Sequence, residues 1–349
     1  MLKILFIGDP HFKISNMEEI DIYIDKIINL VKLTSIDFCI IAGDLLHTHE
    51  RLNSMVLNKA VFFVEQLSLI VKTYIIIGNH DMYNNKQFLT NGHWMNFMKQ
   101  WNNVIIIDRV LVETINGVKV VFVPYVQPGL FEKALGTIDG PKDGVDRSAA
   151  GSEWKDASCI FAHQEFYGCK MGSIVSSEGD KWDLDYPEII SGHIHDKQRP
   201  QPNIYYPGSS MQQSYSDKAD NIIVLLDIIN GEKNAIVKEI DLELCKKRII
   251  KIKCKDFYTY DFKNIINSTD KIKLTLSGTI EEYKELRNTS LYKEMSIKLF
   301  IVFKKNEVQV IRNLNSIEKK DFKYCLKQSV DKENNIYLNN TLKMLLSGP

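Results

Sequence analysis

Residues 2–11 read LKILFIGDPH, residues 38–47 FCIIAGDLLH and residues 74–81 YIIIGNHD. Each is an apolar run of strand length that stops at a glycine and then presents Asp, Asn or His side chains. The form returns in EIISGHIH (188–195) and, without the glycine, in CIFAHQE (159–165). Amphipathic helical patterns lie between the first three runs, over 18–31 and 54–69. A helix-like stretch at 94–101 precedes a strand at 104–107. Strand–helix alternation of this kind predicts a parallel sheet with helices outside, an α/β fold. Segments 110–114 and 118–123, joined at Asn116–Gly117, read as a β-hairpin. Short strands are expected at 159–162, 188–191, 204–206 and 222–228. Residues 136–152, rich in Gly, Asp and Ser without a period, read as a surface loop.

The chain has 349 residues, 44% hydrophobic and 25% charged. That is the balance of a folded protein, long enough for two domains. Disorder and fibrous classes are excluded, and no apolar run is long enough to span a bilayer. Asp9 falls where a signal peptide needs its apolar centre, so secretion is not expected and a cytoplasmic setting is. Six cysteines without a CxxC pair read as buried thiols of a reducing compartment. The net charge of +0 hides an acidic front and a basic rear: residues 231–349 hold 24 Lys+Arg against 16 Asp+Glu. A cation-binding domain joined to a polyanion-binding one has that distribution. All eight histidines lie between His11 and His195.

The polar clusters are GDPH, GDLLH, GNHD, FAHQE and GHIH. Each begins where a strand ends, and sites in open α/β sheets form at the carboxyl ends of strands. Their aspartates, asparagine and imidazoles, with no thiolate, suit Mn²⁺, Fe²⁺, Zn²⁺ or Mg²⁺. There are too many ligand-type side chains for one tetrahedral ion and enough for two ions sharing a bridging carboxylate. His49 and His93 read as structural, one on a loop and one at a helix start.

DxH…GD…GNHD…H…GHxH resembles the signature of the calcineurin-like metallophosphoesterase superfamily throughout residues 1–230. Within it, the chain is more similar to the SbcD-like DNA repair and recombination nucleases of phage or large-virus type. GDLLH, FAHQEF and IYYPGSSMQQSYSD carry that likeness. Phe12–Lys13 replaces the family's Leu-Gly, and Asp217 its usual Glu. The resemblance implies a four-layer α/β/β/α sandwich (1–244), a small α+β capping, DNA-binding domain (245–315) and a helical tail (316–349). It implies a first metal held by Asp9, His11, Asp44 and His195, and a second held by Asp44, Asn79, His163 and His193, with Asp44 bridging. Two divalent ions, Mn²⁺ foremost, would serve a DNA nuclease with exonuclease or endonuclease activity. A small-molecule or phosphoprotein phosphoesterase is the alternative. His80, without a metal slot, would stabilise or protonate the reacting phosphate, and His47 would help place the DNA end. Asp81 would orient His80 or brace the turn. Implied partners are DNA, an SMC-type (SbcC-like) ATPase and a second copy of the chain.

Past residue 244 the texture changes. KKRIIKIKCK (246–255) and KIKLTL (271–276) alternate like half-exposed strands, 280–287 looks helical, and 296–303 reads as a strand. Lys246, Lys247 and Arg248 are candidate phosphate contacts. Helical patterns over 317–330 and 332–346 close the chain. Their apolar stripes (Phe322, Cys325, Leu326, Val330; Leu338, Leu342, Leu345, Leu346) are candidates for docking the ATPase.

Overall fold

A computed structural model describes residues 1–48, 51–138, 153–232 and 234–305, with isolated positions between 326 and 342. His49, most of the expected loop at 136–152, Cys325 and most of the two C-terminal helical patterns lie outside the described residues. Of the terminal stripes, Leu342 is buried while Leu326 and Leu338 are exposed.

Two six-stranded sheets form the bulk. The first runs, in spatial order, Ile236–Ile240, Ile223–Ile228, Leu2–Ile7, Phe38–Ile41, Thr73–Ile76, Val104–Ile107. The last four are mutually parallel, and Ile223–Ile228 joins antiparallel to Leu2–Ile7. The second runs Gln198–Gln201, Ile204–Tyr206, Ile189–Gly192, Cys159–His163, Val118–Val123, Leu111–Ile115, the last pair being the expected hairpin.

Period-two alternation sorts side chains into layers. Leu5 and Ile7 face outward into a core shared with Ile20, Tyr23, Ile27, Phe63 and Val64 of helices Met17–Leu33 and Ser54–Ser68. Leu2, Ile4 and Phe6 face inward against Val120, Phe122 and Phe161 of the second sheet. On that sheet's other side, Val121, Val123 and Ile160 pack under the short helix Phe131–Leu135 and the rings of Trp154 and Trp182. The result is a four-layer α/β/β/α sandwich. Its last layer is a single helical turn and aromatic loops rather than long helices.

A third sheet holds three parallel strands, Lys247–Lys253, Lys271–Gly278 and Phe300–Lys305, with helices Ile280–Arg287 and Ser290–Lys298. The strand expected over 296–303 therefore starts late. Thr289 caps a helix with its hydroxyl, accepting from Tyr292 N–H at 3.2 Å, and that helix runs through Lys298. Its core is small: Phe257, Ile272, Leu274, Leu276, Leu286 and Met295 are central.

The expectation for Lys247 is corrected. Its side chain is buried, with Nζ 2.8 Å from Glu19 Oε2 and donating to the Gln212 carbonyl at 2.7 Å. Lys271 Nζ lies 2.6 Å from the other oxygen of Glu19. One carboxylate of the first helix thus ties two strands of the third sheet, and Lys247 leaves the candidate DNA contacts. Lys246 and Arg248 are paired with Asp241 (3.2 Å) and Asp270 (2.7 Å) nearer solvent.

Candidate metal centre

The loop after Leu2–Ile7 carries Asp9 and His11. Those after Phe38–Ile41 and Thr73–Ile76 carry Asp44 and His47, and Asn79, His80 and Asp81. From the second sheet come His163, closing Cys159–His163, and His193 and His195 after Ile189–Gly192. All seven sequence-predicted ligands converge where the carboxyl ends of the two sheets meet.

The backbone there is strained. Asp9 (φ 40°), His11 (48°), Asp44 (51°) and His193 (80°) adopt the left-handed region, which costs a non-glycine residue roughly 1–2 kcal/mol. Neighbouring loops hold them. His11 N–H donates to Asp44 O at 2.9 Å, Phe12 N–H to Leu45 O at 2.8 Å and His47 N–H to Phe12 O at 3.1 Å. Two motif glycines are needed for close approach. A Cβ at Gly78 would stand 2.2 Å from Asp44 Oδ1, and one at Gly43 2.4 Å from His163 Nδ1.

The side chains form two sets around the carboxylates, and His47 and His80 bring ligand atoms equally close to His11. In one, Asp9, His11 and His195 bring ligand atoms within 4.8 Å of one another. His11 Nε2 faces His195 Nε2 at 2.9 Å and lies 3.5 Å from Asp44 Oδ2. In the other, Asp44, His163 and His193 do the same. Asn79 Oδ1 is 3.0 Å from both His163 Nε2 and His193 Nδ1, and Asp44 Oδ1 is 3.5 Å from His163 Nε2. Asp44 therefore touches both sets, one oxygen toward each.

These residues fit divalent cations. Asp9 Oδ2 is buried with no hydrogen-bond partner among the described residues, a costly arrangement for a carboxylate oxygen that a cation would relieve. Two imidazole nitrogens facing each other across 2.9 Å offer a pair of donors to a shared ion. The His163 Nδ1–H donates to the Ala42 carbonyl at 2.7 Å, which turns Nε2 toward Asn79 and Asp44. A backbone carbonyl that fixes the tautomer in this way is the usual support for a metal-binding histidine. Among the protein groups alone the charges are finely opposed. Burial pushes Asp9 up to about 6 against the pull of His163. Burial opposes the charge of His163, yet Asp44 and Asp9 raise it to about 9. Burial and the neighbouring His163 push His193 down to about 3. Burial likewise holds His11 well below the usual histidine range. His11 and His193 are thereby kept neutral, as ligands to a cation must be, whereas His163 would release its extra proton as a cation bound.

His80 and His47 stand at the edge of the first set. The His80 ring lies 4.9 Å from that of His11 and stacks on His47 at 5.7 Å and 14°. His80 Nδ1–H donates to the His47 carbonyl at 2.7 Å, and its backbone N–H donates to Asp44 Oδ1 at 2.8 Å.

Of the two roles open to Asp81, bracing the turn has direct support. Its Oδ2 accepts from Asp44 N–H (2.8 Å) and Gly78 N–H (3.0 Å), and its Oδ1 from Trp94 Nε1 (3.2 Å). Burial, then Asp44, pushes it up to about 7. His93 is structural as expected: it caps Trp94–Gln100 and pairs with Asp108. Tyr125, which packs at 5.5 Å from His193 and 6.1 Å from His163, was not anticipated. Its signal was position, since it follows strand Val118–Val123 as the other site residues follow theirs. The block after GHIH also reaches the site: Ser210 N–H donates to Gly8 O (2.7 Å) and Gln213 Nε2 to Pro10 O (2.9 Å). Asp217 folds it by accepting from Gln213 and Ser214 N–H. Lys13, where the family has Gly, donates to Gln213 O at 2.8 Å.

No helix among the described residues is long and apolar enough to cross a membrane. Comparison with known proteins agrees with the geometry. Residues 2–197 match the family model described as calcineurin-like phosphoesterase. The 244L protein of Invertebrate iridescent virus 6, which bears the name of a phosphoesterase, is 48% identical over 294 residues, covering 83% of this chain and 98% of that one. The similarly named 078R protein of Invertebrate iridescent virus 3 is 42% identical over 322 residues, covering 91% and 89%. The solved structure of YfcE, a phosphoesterase from E. coli, is 13% identical over 69% of this chain and all of that one, with a TM-score of 0.31. That last likeness is too low to argue from. On the family match and the two viral relatives, the chain belongs to the calcineurin-like phosphoesterases, metal-dependent hydrolases of phosphate esters.

Proposed function

We propose that the chain is a two-metal phosphodiesterase that cuts DNA, the nuclease subunit of an SbcCD-like recombination or repair complex working with Mn²⁺. The observation that supports it best is the pair of ligand sets meeting at Asp44, with His80 and His47 stacked beside them. Dications held there would supply Lewis acidity toward one phosphate and a hydroxide from a shared water. The chain's own groups do the rest. Asp44 fixes the spacing of the two sets. Because a carbonyl only accepts, His80 must carry its proton on Nδ1 toward His47 O, so proton exchange with the substrate falls to Nε2. An imidazole there can stabilise phosphoryl charge or protonate the leaving oxygen. His47, stacked on it, is positioned to meet the DNA end.

Cleavage of blunt, hairpin and single-stranded DNA with Mn²⁺ or Mg²⁺ tests the reading. Cutting of any of them by the wild type, lost in His80→Gln, supports it. Hydrolysis of bis(p-nitrophenyl) phosphate without any DNA cleavage would replace it with a small-molecule phosphodiesterase. The ATPase partner belongs to the same proposal: a chain cut after Glu318 should keep diesterase activity and no longer co-purify with the ATPase. Loss of folding in that truncation would assign the terminal helices to the chain's own core.

A further inference from the structure

The block 207–217 links the metal loops to the third sheet. Its Gln212 side chain accepts from Lys247 N–H at 2.6 Å and donates to Lys247 O at 2.9 Å. Three residues on, the Tyr215 ring stacks near Phe300, the first residue of strand Phe300–Lys305, with centroids 6.5 Å apart at 29°. Lys273 Nζ, from the adjacent strand, lies 5.8 and 5.7 Å from the two centroids. The rings border a cleft of about 300 Å³ whose wall includes Lys271 and Lys298. Asp270, the one acid in that wall, is held by Arg248. Phe300 is 58% exposed, a large apolar surface left in water beside cations. Lys273 has no carboxylate partner among the described residues.

An aromatic pair from two domains, with a cation at its rim and a path of hydrogen bonds to the loop of Asp9 and His11, matches one ligand chemistry. Every nucleotide offers a base with a π-face to stack and a backbone phosphate for a lysine to meet. We propose that Tyr215, Phe300 and Lys273 form a base-stacking platform that grips single-stranded DNA beside the metal centre. This rests on the nuclease reading and names how that site would hold a strand. Stacking is indifferent to sequence, so the platform grips any strand.

The test uses the full chain and a fluorescein-labelled single-stranded oligonucleotide, with EDTA present so that nothing is cut. Phe300→Ala should weaken binding roughly 5- to 100-fold, as removal of a stacking ring does. Phe300→Trp should restore it. Lys273→Met should lower the salt slope of binding by about 0.7, the share of one phosphate contact on a single strand. Turnover of bis(p-nitrophenyl) phosphate should stay within twofold in all three, since none touches the metal loops. Wild-type binding of the strand with Phe300→Ala unchanged overturns the platform and leaves the nuclease reading standing. Failure of the wild type to bind the strand overturns the platform, and failure to cut any DNA once Mn²⁺ replaces the EDTA overturns the nuclease reading as well.

Discussion

The metal end of the sandwich and the third sheet are built on opposite terms. At the metal end, four ligands sit in strained backbone conformations, one carboxylate oxygen lacks a partner among the described residues, and two motif glycines leave no room for a methyl group. Each loop is held by the next, so one displaced residue is felt by all. The third sheet has a small core, exposed aromatics and charges arranged along a seam. At Glu19 and Lys247, with Lys271 reaching in from nearer solvent, it shares the buried electrostatics of the first region. The contrast predicts two kinds of dependence: turnover on the first region, and stability together with the proposed strand binding on the second.

The sharpest break in the first region is Asp44→Ala. Because each Asp44 oxygen faces a different ligand set, its removal should empty both together and take activity below detection. Metal analysis of the purified variant decides the point; loss of only one ion per chain would mean that Asp44 does not bridge. His80→Gln should leave metal content near wild type while lowering turnover by about 10²–10⁴, the usual contribution of a positioned acid or charge stabiliser. Equal metal loss in the two variants would make His80 a ligand and undo the division of roles.

Glu19→Gln probes the seam. The substitution keeps shape and removes the charge that Lys247 and Lys271 share. Lys271 can turn toward solvent, but Lys247 is buried and keeps neutral acceptors alone, the Gln212 carbonyl and the new amide oxygen. Breaking a buried pair by removing one partner costs about 3–5 kcal/mol. Urea unfolding should show a loss of that order, with small-diester turnover at low temperature almost unchanged. A loss under about 1 kcal/mol would mean that apolar contacts, not this carboxylate, join the third sheet to the first helix.

The same contrast explains what could be read in advance. The metal end was legible because its determinants are local: an apolar strand and then ligands, five times in chain order, with a glycine between them in four. Strands Leu2–Ile7, Val104–Ile107 and Ile204–Tyr206 were placed from their apolar runs alone. What stayed hidden depends on residues distant in sequence. The left-handed turns at Asp9 and Asp44 arise from neighbouring loops, and nothing local distinguishes them. The Glu19–Lys247 pair joins residues 228 positions apart, so Lys247 looked like one more cation in a basic strand. Helix Ser290–Lys298 was read partly as strand because SIKLFIVF is mostly apolar and of strand length, while the deciding signal, the Thr289 cap, sits seven residues upstream of that stretch.

The smallest effect is expected where the sequence drew most attention, at the remaining pair of the basic strand. Lys246 and Arg248 keep solvent-facing ion pairs with Asp241 and Asp270. Exposed pairs contribute about 0–1 kcal/mol each, so Lys246→Ala with Arg248→Ala should unfold within about 1 kcal/mol of wild type. Two free cations meeting phosphates would carry a salt slope of roughly 1.8 on duplex DNA. Here each is partly neutralised by its aspartate and must exchange that partner for a phosphate. The double variant should therefore lower the slope by less than that, with only a modest loss of duplex affinity. Salt titration of duplex binding makes the distinction. A fall near the full value would mean that both aspartates release their partners on binding, making the basic strand a principal DNA contact. No change would leave duplex binding to surfaces outside this strand.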